Sequence, residues 1–283
     1  SAGLKIEKGS EVQGDLTLRS GHANTITDEG DSGVVTVDGN LTATTYANNG
    51  SITLDELAID GTIGLNTHGT GNATVVNDNG LQFASSTVGG DLHATATIGD
   101  ITQNSEALAI TGTTTLVTAA SNASITLGTT SNAFTGALII TTRDDDADGT
   151  DGDVTIHGGT TALVLGASTI EGDLALTSTA TGDDKITNTG TLNIRGTTTV
   201  SASGVDVALN STANNFQGVV AIDGVNVTVV DANDIILGTS TVTGTTTGYR
   251  VTATAGGGIT DLTGDVLDIA GAAIFTAANG QSI

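Results

Sequence analysis

The sequence of 283 residues contains no cysteine, proline, methionine or tryptophan, and it has few aromatic residues of any kind. Without cysteine, a disulfide framework and zinc sites built on thiolates are excluded. The two Tyr and four Phe residues are too few for a core built on large rings. Aliphatic residues are plentiful nonetheless, which excludes the depleted composition of a disordered chain.

Positive charge is equally scarce. Seven Lys and Arg residues stand against 31 Asp and Glu residues, so the formal net charge is −24. Such a surface repels phosphate backbones, and we expect no nucleic-acid partner. No run approaches the roughly 20 apolar residues that a spanning helix needs, and we expect no membrane insertion. The sequence starts without Met or a signal peptide, which predicts a processed or excised piece of a longer chain.

The residues that are present favour β-structure with many tight corners. Thr, Val and Ile suit a pleated surface, because their branched side chains restrict the helix more than the strand. The 40 Gly residues, together with Asn, supply turns. The apolar runs alternate, and none is long enough for a helix.

Short phrases recur along the chain. Residues 131–142 read SNAFTGALIITT and residues 213–224 read ANNFQGVVAIDG, with Asn two residues before a Phe and Gly two residues after it. A Leu-x-Ile-x-Gly string occurs four times, and Gly-Asp-Leu or Gly-Asn-Leu also occurs four times. Together these phrases mark a series of turn glycines: Gly14, Gly39, Gly61, Gly90, Gly112, Gly136, Gly172, Gly196, Gly218, Gly244 and Gly271.

The spacing of these glycines predicts a solenoid, because it lies mostly between 22 and 29 residues. Each interval usually holds three short alternating runs, with Leu, Ile and Val at alternate positions. We therefore predict an all-β parallel β-helix with three strands per coil and roughly 11 coils of about 22–27 residues. It forms a single domain over residues 1–283, as a segment of a longer rod. Phe134 and Phe216 are predicted to be core residues, at the same corner of the coil further along the axis.

The phrases GDL, SITL, NNFQG and LNIRG resemble the repeat region of large secreted bacterial adhesins, the filamentous-haemagglutinin-like exoproteins of two-partner secretion and related autotransporter passengers. The resemblance covers essentially the whole chain, although the family's N-terminal secretion domain is not evident. It implies a right-handed, extracellular β-helical shaft at the bacterial cell surface. Such a shaft serves cell-surface or biofilm attachment, with a polysaccharide or a host or bacterial surface molecule as ligand.

One interval, of 36 residues, contains an acidic insertion at residues 143–153. Three alternating aspartates and Gly149 fit the D-x-D-x-D-G opening of a calcium loop, in which carboxylates converge on one hard cation. Thr155 stands where such a loop usually has its last acidic ligand, and one of two later aspartates is expected to substitute. The predicted Ca²⁺ ligands are Asp144, Asp146, Asp148, Asp151 and Asp153, and the alternative is a solvated acidic loop. Other acidic corners, at 28–31 and 183–184, are interpreted as solvated turns.

Two other function classes are weaker alternatives. The four histidines, His22, His68, His93 and His157, show no metal or catalytic spacing, and no nucleophile elbow occurs. We therefore predict no catalytic residue and no enzyme, with a polysaccharide-active β-helix enzyme as the alternative. An ice-binding solenoid is the second alternative, because Thr triplets follow three of the turn glycines.

Both ends of the sequence carry apolar alternation without an obvious polar cap, over residues 1–13 and 272–283. A terminal coil exposes an unpaired strand edge, which promotes association. We therefore expect either excision from a longer rod or head-to-tail self-association.

Overall fold

The computed structural model describes residues 3–21, 25–30, 32–145, 151–183 and 185–283. In these residues every regular element is a β-strand, and every strand pairing is parallel. The prediction of an all-β parallel β-helix is confirmed. Within the same ranges, no helix of the length and hydropathy needed to cross a membrane is present.

The strands fall into four consecutive blocks. The first block contains β1 (Leu4–Glu7), β2 (Glu11–Val12), β3 (Leu16–Ser20), β4 (Thr25–Glu29), β5 (Val35–Val37), β6 (Leu41–Thr45), β7 (Ser51–Ile59) and β8 (Thr62–Asn66). The second contains β9 (Ala73–Asn77), β10 (Leu81–Phe83), β11 (Ser86–Val88), β12 (Leu92–Ala96), β13 (Ile101–Gln103), β14 (Leu108–Ile110), β15 (Thr114–Ser121), β16 (Ile125–Leu127), β17 (Ala133–Phe134) and β18 (Ala137–Arg143).

The third block contains β19 (Val154–His157), β20 (Leu163–Leu165), β21 (Ser168–Ile170), β22 (Leu174–Thr177), β23 (Lys185–Asn188), β24 (Leu192–Ile194), β25 (Thr198–Ala202), β26 (Asp206–Leu209), β27 (Asn215–Phe216) and β28 (Val219–Gly224). The fourth contains β29 (Val227–Asp231), β30 (Ile235–Leu237), β31 (Ser240–Val242), β32 (Tyr249–Ala253), β33 (Ile259–Asp261), β34 (Leu267–Ile269) and β35 (Ala273–Thr276).

Each strand generally pairs with the strand three positions further along the chain, so that three strands make one turn. In the second block, for example, β9 pairs with β12 and β12 pairs with β15. The long strand β7 fills two positions, because its first half pairs with β4 and its second half with β5. The rod has about 12 turns, and at about 4.8 Å between strands it is roughly 55–60 Å long.

The expected count of roughly 11 coils agrees with the observed number of turns to within about one, although the turn glycines do not mark coils uniformly. Three intervals between successive glycines, 61–90, 136–172 and 218–244, contain four strands rather than three. Each complete block, β9–β18 or β19–β28, therefore holds ten strands, which is three turns and one further strand. Successive blocks consequently begin one face further round the rod.

This offset corrects the prediction that the two Phe phrases share a corner position along the axis. Phe134 lies on β17 and Phe216 on β27, at equivalent places in two blocks, but the two strands belong to different hydrogen-bonded ladders. Both rings are buried in the core, as predicted. The phrases repeat because the block repeats, and the extra strand rotates the second phrase onto another face.

The core consists of mostly aliphatic columns that run along the axis, with an occasional threonine such as Thr114. The strand registers place Ile26, Ile52, Ala73, Leu92, Thr114, Leu138 and Leu165 directly above one another. Every residue of this column has at most 1% of its surface exposed. Burial of each Leu or Ile side chain contributes about 1.5–3 kcal/mol, so stacking is the main source of stability. No coil can bury its inward face without a neighbour.

Candidate functional site

The turn glycines are required by close contact between coils rather than by an unusual backbone conformation. Gly112 has no left-handed φ angle, yet a Cβ placed on it would lie 2.6 Å from the carbonyl carbon of Gly90. A Cβ on Gly136 would lie 2.3 Å from the carbonyl oxygen of Gly112, and the same relation links Gly218 to Gly196. Each column of corners is thus a line of glycines in mutual backbone contact.

The aspartate or asparagine that follows four of the turn glycines joins one coil to the next. Asp91 Oδ1 accepts the backbone N–H of Thr113 at 2.8 Å, one coil onwards. Asp173 accepts that of Thr197 at 2.6 Å, and Asp15 accepts that of Asn40 at 2.8 Å. These are the Gly-Asp-Leu phrases of the sequence. These carboxylates therefore stabilise the stacking of coils, because a carboxylate is a strong acceptor for a backbone amide.

The buried asparagine of the repeated phrase also ties coils together. Asn214 has no exposed surface, and its Oδ1 accepts the backbone N–H of Leu192 at 3.0 Å in the preceding coil. Its Nδ2 donates to the carbonyl oxygen of Val230 at 3.3 Å in the following coil. Asn132, its equivalent in the second block, bonds to Leu108 N–H and to the His157 carbonyl in the same way. One amide side chain thus connects three coils.

A serine motif that sequence patterns alone did not reveal joins the blocks. The strings LQFASSTV, LVLGASTI and IILGTSTV begin at residues 81, 163 and 235, and each forms the pair of short strands that makes the four-strand interval. Ser168, which is buried, accepts the Ile140 N–H at 3.0 Å and donates to the Gly166 carbonyl at 3.2 Å. Ser86 and Ser240 make the same two contacts. The signal was present as a phrase that occurs once in each of the last three blocks.

The predicted calcium ligands are only partly described. Asp146 and Asp148 lie outside the described residues. Asp144 is buried, and Asp151 is half-buried. Asp153 Oδ1 accepts the Asp173 N–H at 2.8 Å, so one of its carboxylate oxygens is already hydrogen-bonded to the backbone of the next coil. In the ranges that the structure covers, no three acidic or histidine side chains form a metal-binding group. Calcium binding by this segment stays a prediction.

One acidic corner does not have the solvated character that the sequence suggested. Asp28 has 7% of its surface exposed, and its two carboxylate oxygens accept the N–H groups of Asp55 and Glu56. Burial and the nearby Asp28 carboxylate raise the pKa of Asp55. Lys8 lies beside this cluster, with Nζ 2.9 Å from Glu56 Oε1, and this hydrogen bond raises the pKa of Lys8. Asp31 and Asp184, also assigned to solvated turns, fall outside the described residues.

The outward faces carry ladders of like polar side chains. One register runs through Thr102, Thr126 and Thr155 in successive coils. Another is an amide ladder, in which Asn215 Nδ2 donates to Asn193 Oδ1 at 2.8 Å and Asn233 Nδ2 donates to Asn215 Oδ1 at 2.7 Å. These rows present hydroxyl or amide groups at the coil spacing, about 4.8 Å. They form regular polar rows on the described part of the rod.

These features define the class of protein: a parallel β-solenoid made of repeated blocks whose corners are joined by side-chain hydrogen bonds to the backbone of neighbouring coils. Four stretches of the chain, 2–67, 70–141, 151–223 and 224–283, match a family described as repeats of unknown function (DUF5649). The chain belongs to this family. The second and third matches correspond to the ten-strand blocks, so the structural block is the family repeat. The comparisons with curated proteins and with solved structures gave no match.

Proposed function

We propose that this chain is a structural and adhesive shaft of a secreted bacterial adhesin or extracellular matrix filament, which supports attachment at the cell surface or in a biofilm. The resemblance of its repeat phrases to filamentous-haemagglutinin-like exoproteins supports this proposal. The observation that carries it is the connection between coils. Backbone ladders, corner aspartates and the buried Asn132 and Asn214 all bond along the rod axis.

A shaft has to hold its length under load, and the arrangement of these bonds suits that task. Tension between the two ends acts on the interfaces between coils, where ladder and side-chain hydrogen bonds act together. Many such bonds that must break together resist separation better than isolated bonds do, and burial strengthens those of Asn132 and Asn214 further. We expect coils to detach from an end in sequence, because each coil contacts only its neighbours.

Single-molecule force spectroscopy on the full chain, held at both termini, tests the shaft. A coil of 22–29 residues released as an extended chain lengthens the molecule by roughly 70–100 Å. We expect a series of such steps. The Asp91→Ala variant should lower the force of the step in its own block, whereas a variant of the exposed Asp268 should leave all steps unchanged. Extension without steps, at the force of an unstructured chain, contradicts the proposal.

The adhesive role rests on the outward polar ladders, which suit the hydroxyl groups of a polysaccharide. Screening the immobilised chain against a glycan array and against matrix proteins tests this part. We expect retention of a glycan class and its loss in the double variant Asn193→Ala, Asn215→Ala. The same glycans, incubated with the protein, should show no new reducing ends. Turnover would establish the polysaccharide-active enzyme instead, and an ice-recrystallisation assay tests the ice-binding alternative.

A further inference from the structure

Three Asn-Gly pairs occur in the sequence, at residues 49–50, 79–80 and 279–280. Asparagine is a chemically labile residue. When glycine follows it, the glycine nitrogen can attack the asparagine side chain most easily, because no Cβ shields that nitrogen. The attack requires the nitrogen and the side-chain carbonyl carbon to approach each other in a suitable geometry. The hydrogen bonds of each pair therefore decide whether the folded chain permits the reaction.

The pair Asn79–Gly80 lies at the corner between β9 and β10, and both residues are exposed. In the described part of the chain, the Gly80 N–H and the Asn79 side-chain oxygen have no hydrogen-bond partner. The one side-chain bond of Asn79 runs from its Nδ2 to Oδ1 of the exposed Asp60, at 2.8 Å. A single exposed bond is readily exchanged for a bond to water. The attacking nitrogen and the carbon that it attacks are thus both accessible.

The pair Asn49–Gly50, at another corner, is held closed. Gly50 is buried, and its N–H donates to the Ala47 carbonyl at 3.0 Å. Asn49 Oδ1 accepts both the backbone N–H and the hydroxyl of Thr70, each at 2.9 Å. Attack at this pair requires a local opening that breaks all three bonds, whereas attack at Asn79 requires the loss of one. The same dipeptide is therefore protected at one corner and accessible at the other.

The stacking of coils favours glycine at position 80. A Cβ placed on Gly80 would lie 3.2 Å from the Asp100 carbonyl oxygen and 3.6 Å from the Asp100 nitrogen, both in the next coil. Backbone atoms in a close-packed stack cannot turn aside as a flexible side chain can. Glycine is thus the residue that fits this corner with least strain. The absence of a side chain, which exposes the Gly80 nitrogen, follows from the contact between coils.

We infer that Asn79 is a site of spontaneous modification in the folded protein. The Gly80 nitrogen forms a bond to Asn79 Cγ, and the side-chain nitrogen leaves as ammonia with the proton that the Gly80 nitrogen loses. The product is a cyclic succinimide. Water then adds to one of the two ring carbonyl carbons and breaks its bond to the ring nitrogen. This step leaves either aspartate or isoaspartate at position 79, and water is the only co-reactant.

Either product weakens the contact between the first and second blocks. A carboxylate at position 79 replaces the bond from Asn79 Nδ2 to Asp60 by repulsion between like charges. Isoaspartate also adds a methylene group to the main chain of the corner. That corner is fixed on both sides, because the Asp78 N–H donates to the preceding coil at 2.6 Å and the Leu81 N–H donates to the Asp100 carbonyl at 2.8 Å. A longer corner strains both bonds.

Peptide mapping of the full chain by mass spectrometry, after incubation at mildly alkaline pH, tests the site. In the folded protein we expect Asn79 to convert at least about tenfold faster than Asn49, since about 1.4 kcal/mol of protection gives that ratio. In denaturing urea, which opens both pairs, the two rates should be similar. Asn279, at an exposed turn of the last coil, is the reference for conversion without protection. Equal rates at Asn79 and Asn49 in the folded chain overturn the inference.

Asn79→Gln is the matched variant for the effect on the rod. Its side chain keeps the amide, but the attack would have to close a larger ring. After the same incubation, the melting temperature of wild-type protein should fall, and that of Asn79→Gln should fall by less. An equal fall in both proteins, or unchanged melting of wild-type protein that has converted at Asn79, overturns the proposed weakening of the contact between the blocks.

Discussion

Asp231 Oδ2 accepts the backbone N–H of Phe216 at 3.1 Å, across the boundary between two coils. The Asp231 side chain has no exposed surface. At the start of the second block, Asn77 takes the same position and accepts the Ile59 N–H at 2.8 Å. The fold therefore places a neutral side chain at one block boundary and a carboxyl group at another. Burial raises the pKa of Asp231 to about 6, against the lowering effect of its amide donors.

This raised pKa makes the stability of the rod depend on pH. Below about pH 4, the usual carboxyl pKa, Asp231 is protonated in both folded and unfolded chains. Between pH 4 and 6 the unfolded chain releases the proton while the folded chain retains it, so the free energy of unfolding falls as pH rises. The loss approaches about 3 kcal/mol, at 1.36 kcal/mol per unit. We expect urea denaturation to show this loss in wild type and not in Asp231→Asn.

The comparison of the two proteins isolates Asp231, because all other carboxyl groups are common to both. Asp261→Asn, at an exposed position, is the control and should follow the wild-type pH profile. Parallel profiles for wild type and Asp231→Asn between pH 4 and 7 would rule out this role of Asp231.

The glycine columns predict a strong position dependence for one small substitution. Gly112→Ala places a methyl group within 2.6 Å of the Gly90 backbone, which cannot move aside as a flexible side chain can. We expect a loss of about 1–3 kcal/mol, the usual cost of overpacking. Gly128→Ala has open space and should change stability by no more than about 0.5 kcal/mol. Thermal melting of the two variants measures the contrast, and equal melting temperatures would contradict the contact argument.

The buried Asn214 should be among the most sensitive polar positions. Asn214→Ala leaves the Leu192 N–H and the Leu209 and Val230 carbonyls without their side-chain partner. Each buried unsatisfied group costs about 1–3 kcal/mol, so we expect a loss of several kcal/mol in a denaturant titration. Asn48→Ala, at an exposed corner, is the control and should be nearly neutral. A loss no larger than that of the control would show that the amide does not connect the coils.

Calcium binding by the acidic segment is tested by thermal melting in millimolar calcium against chelator. Six carboxylates between Asp144 and Asp153 repel one another, and a bound cation relieves that repulsion. Binding to the folded state alone stabilises it by about 2.7 kcal/mol at a hundredfold excess over the dissociation constant. We expect this gain in wild type and in Asp268→Ala, and its loss in Asp146→Ala. Equal responses in all three proteins would show general charge screening instead.

The sequence by itself determined the class of the fold. Alternating aliphatic and polar residues can bury only one face of a short strand. The recurring glycines indicate a regular coil length, which the stacking of similar coils requires. These local patterns were enough to predict a parallel solenoid with three strands per coil, turn glycines at its corners, and Phe134 and Phe216 in its core.

Only the tertiary structure decided how the coils relate to one another. The recurrence of Ser86, Ser168 and Ser240 is visible in the sequence, but its result, a tenth strand that turns each block by one face, appears only when the strands are paired. The sequence suggests a solvated turn at Asp28 and does not single out Asp231, yet both are covered by a neighbouring coil. The burial of Asp28 and Asp231, the raised pKa of Asp231 and the need for glycine at position 112 all depend on residues about one coil away. Spacing along the chain does not encode those contacts, because they follow from the stacking of whole coils.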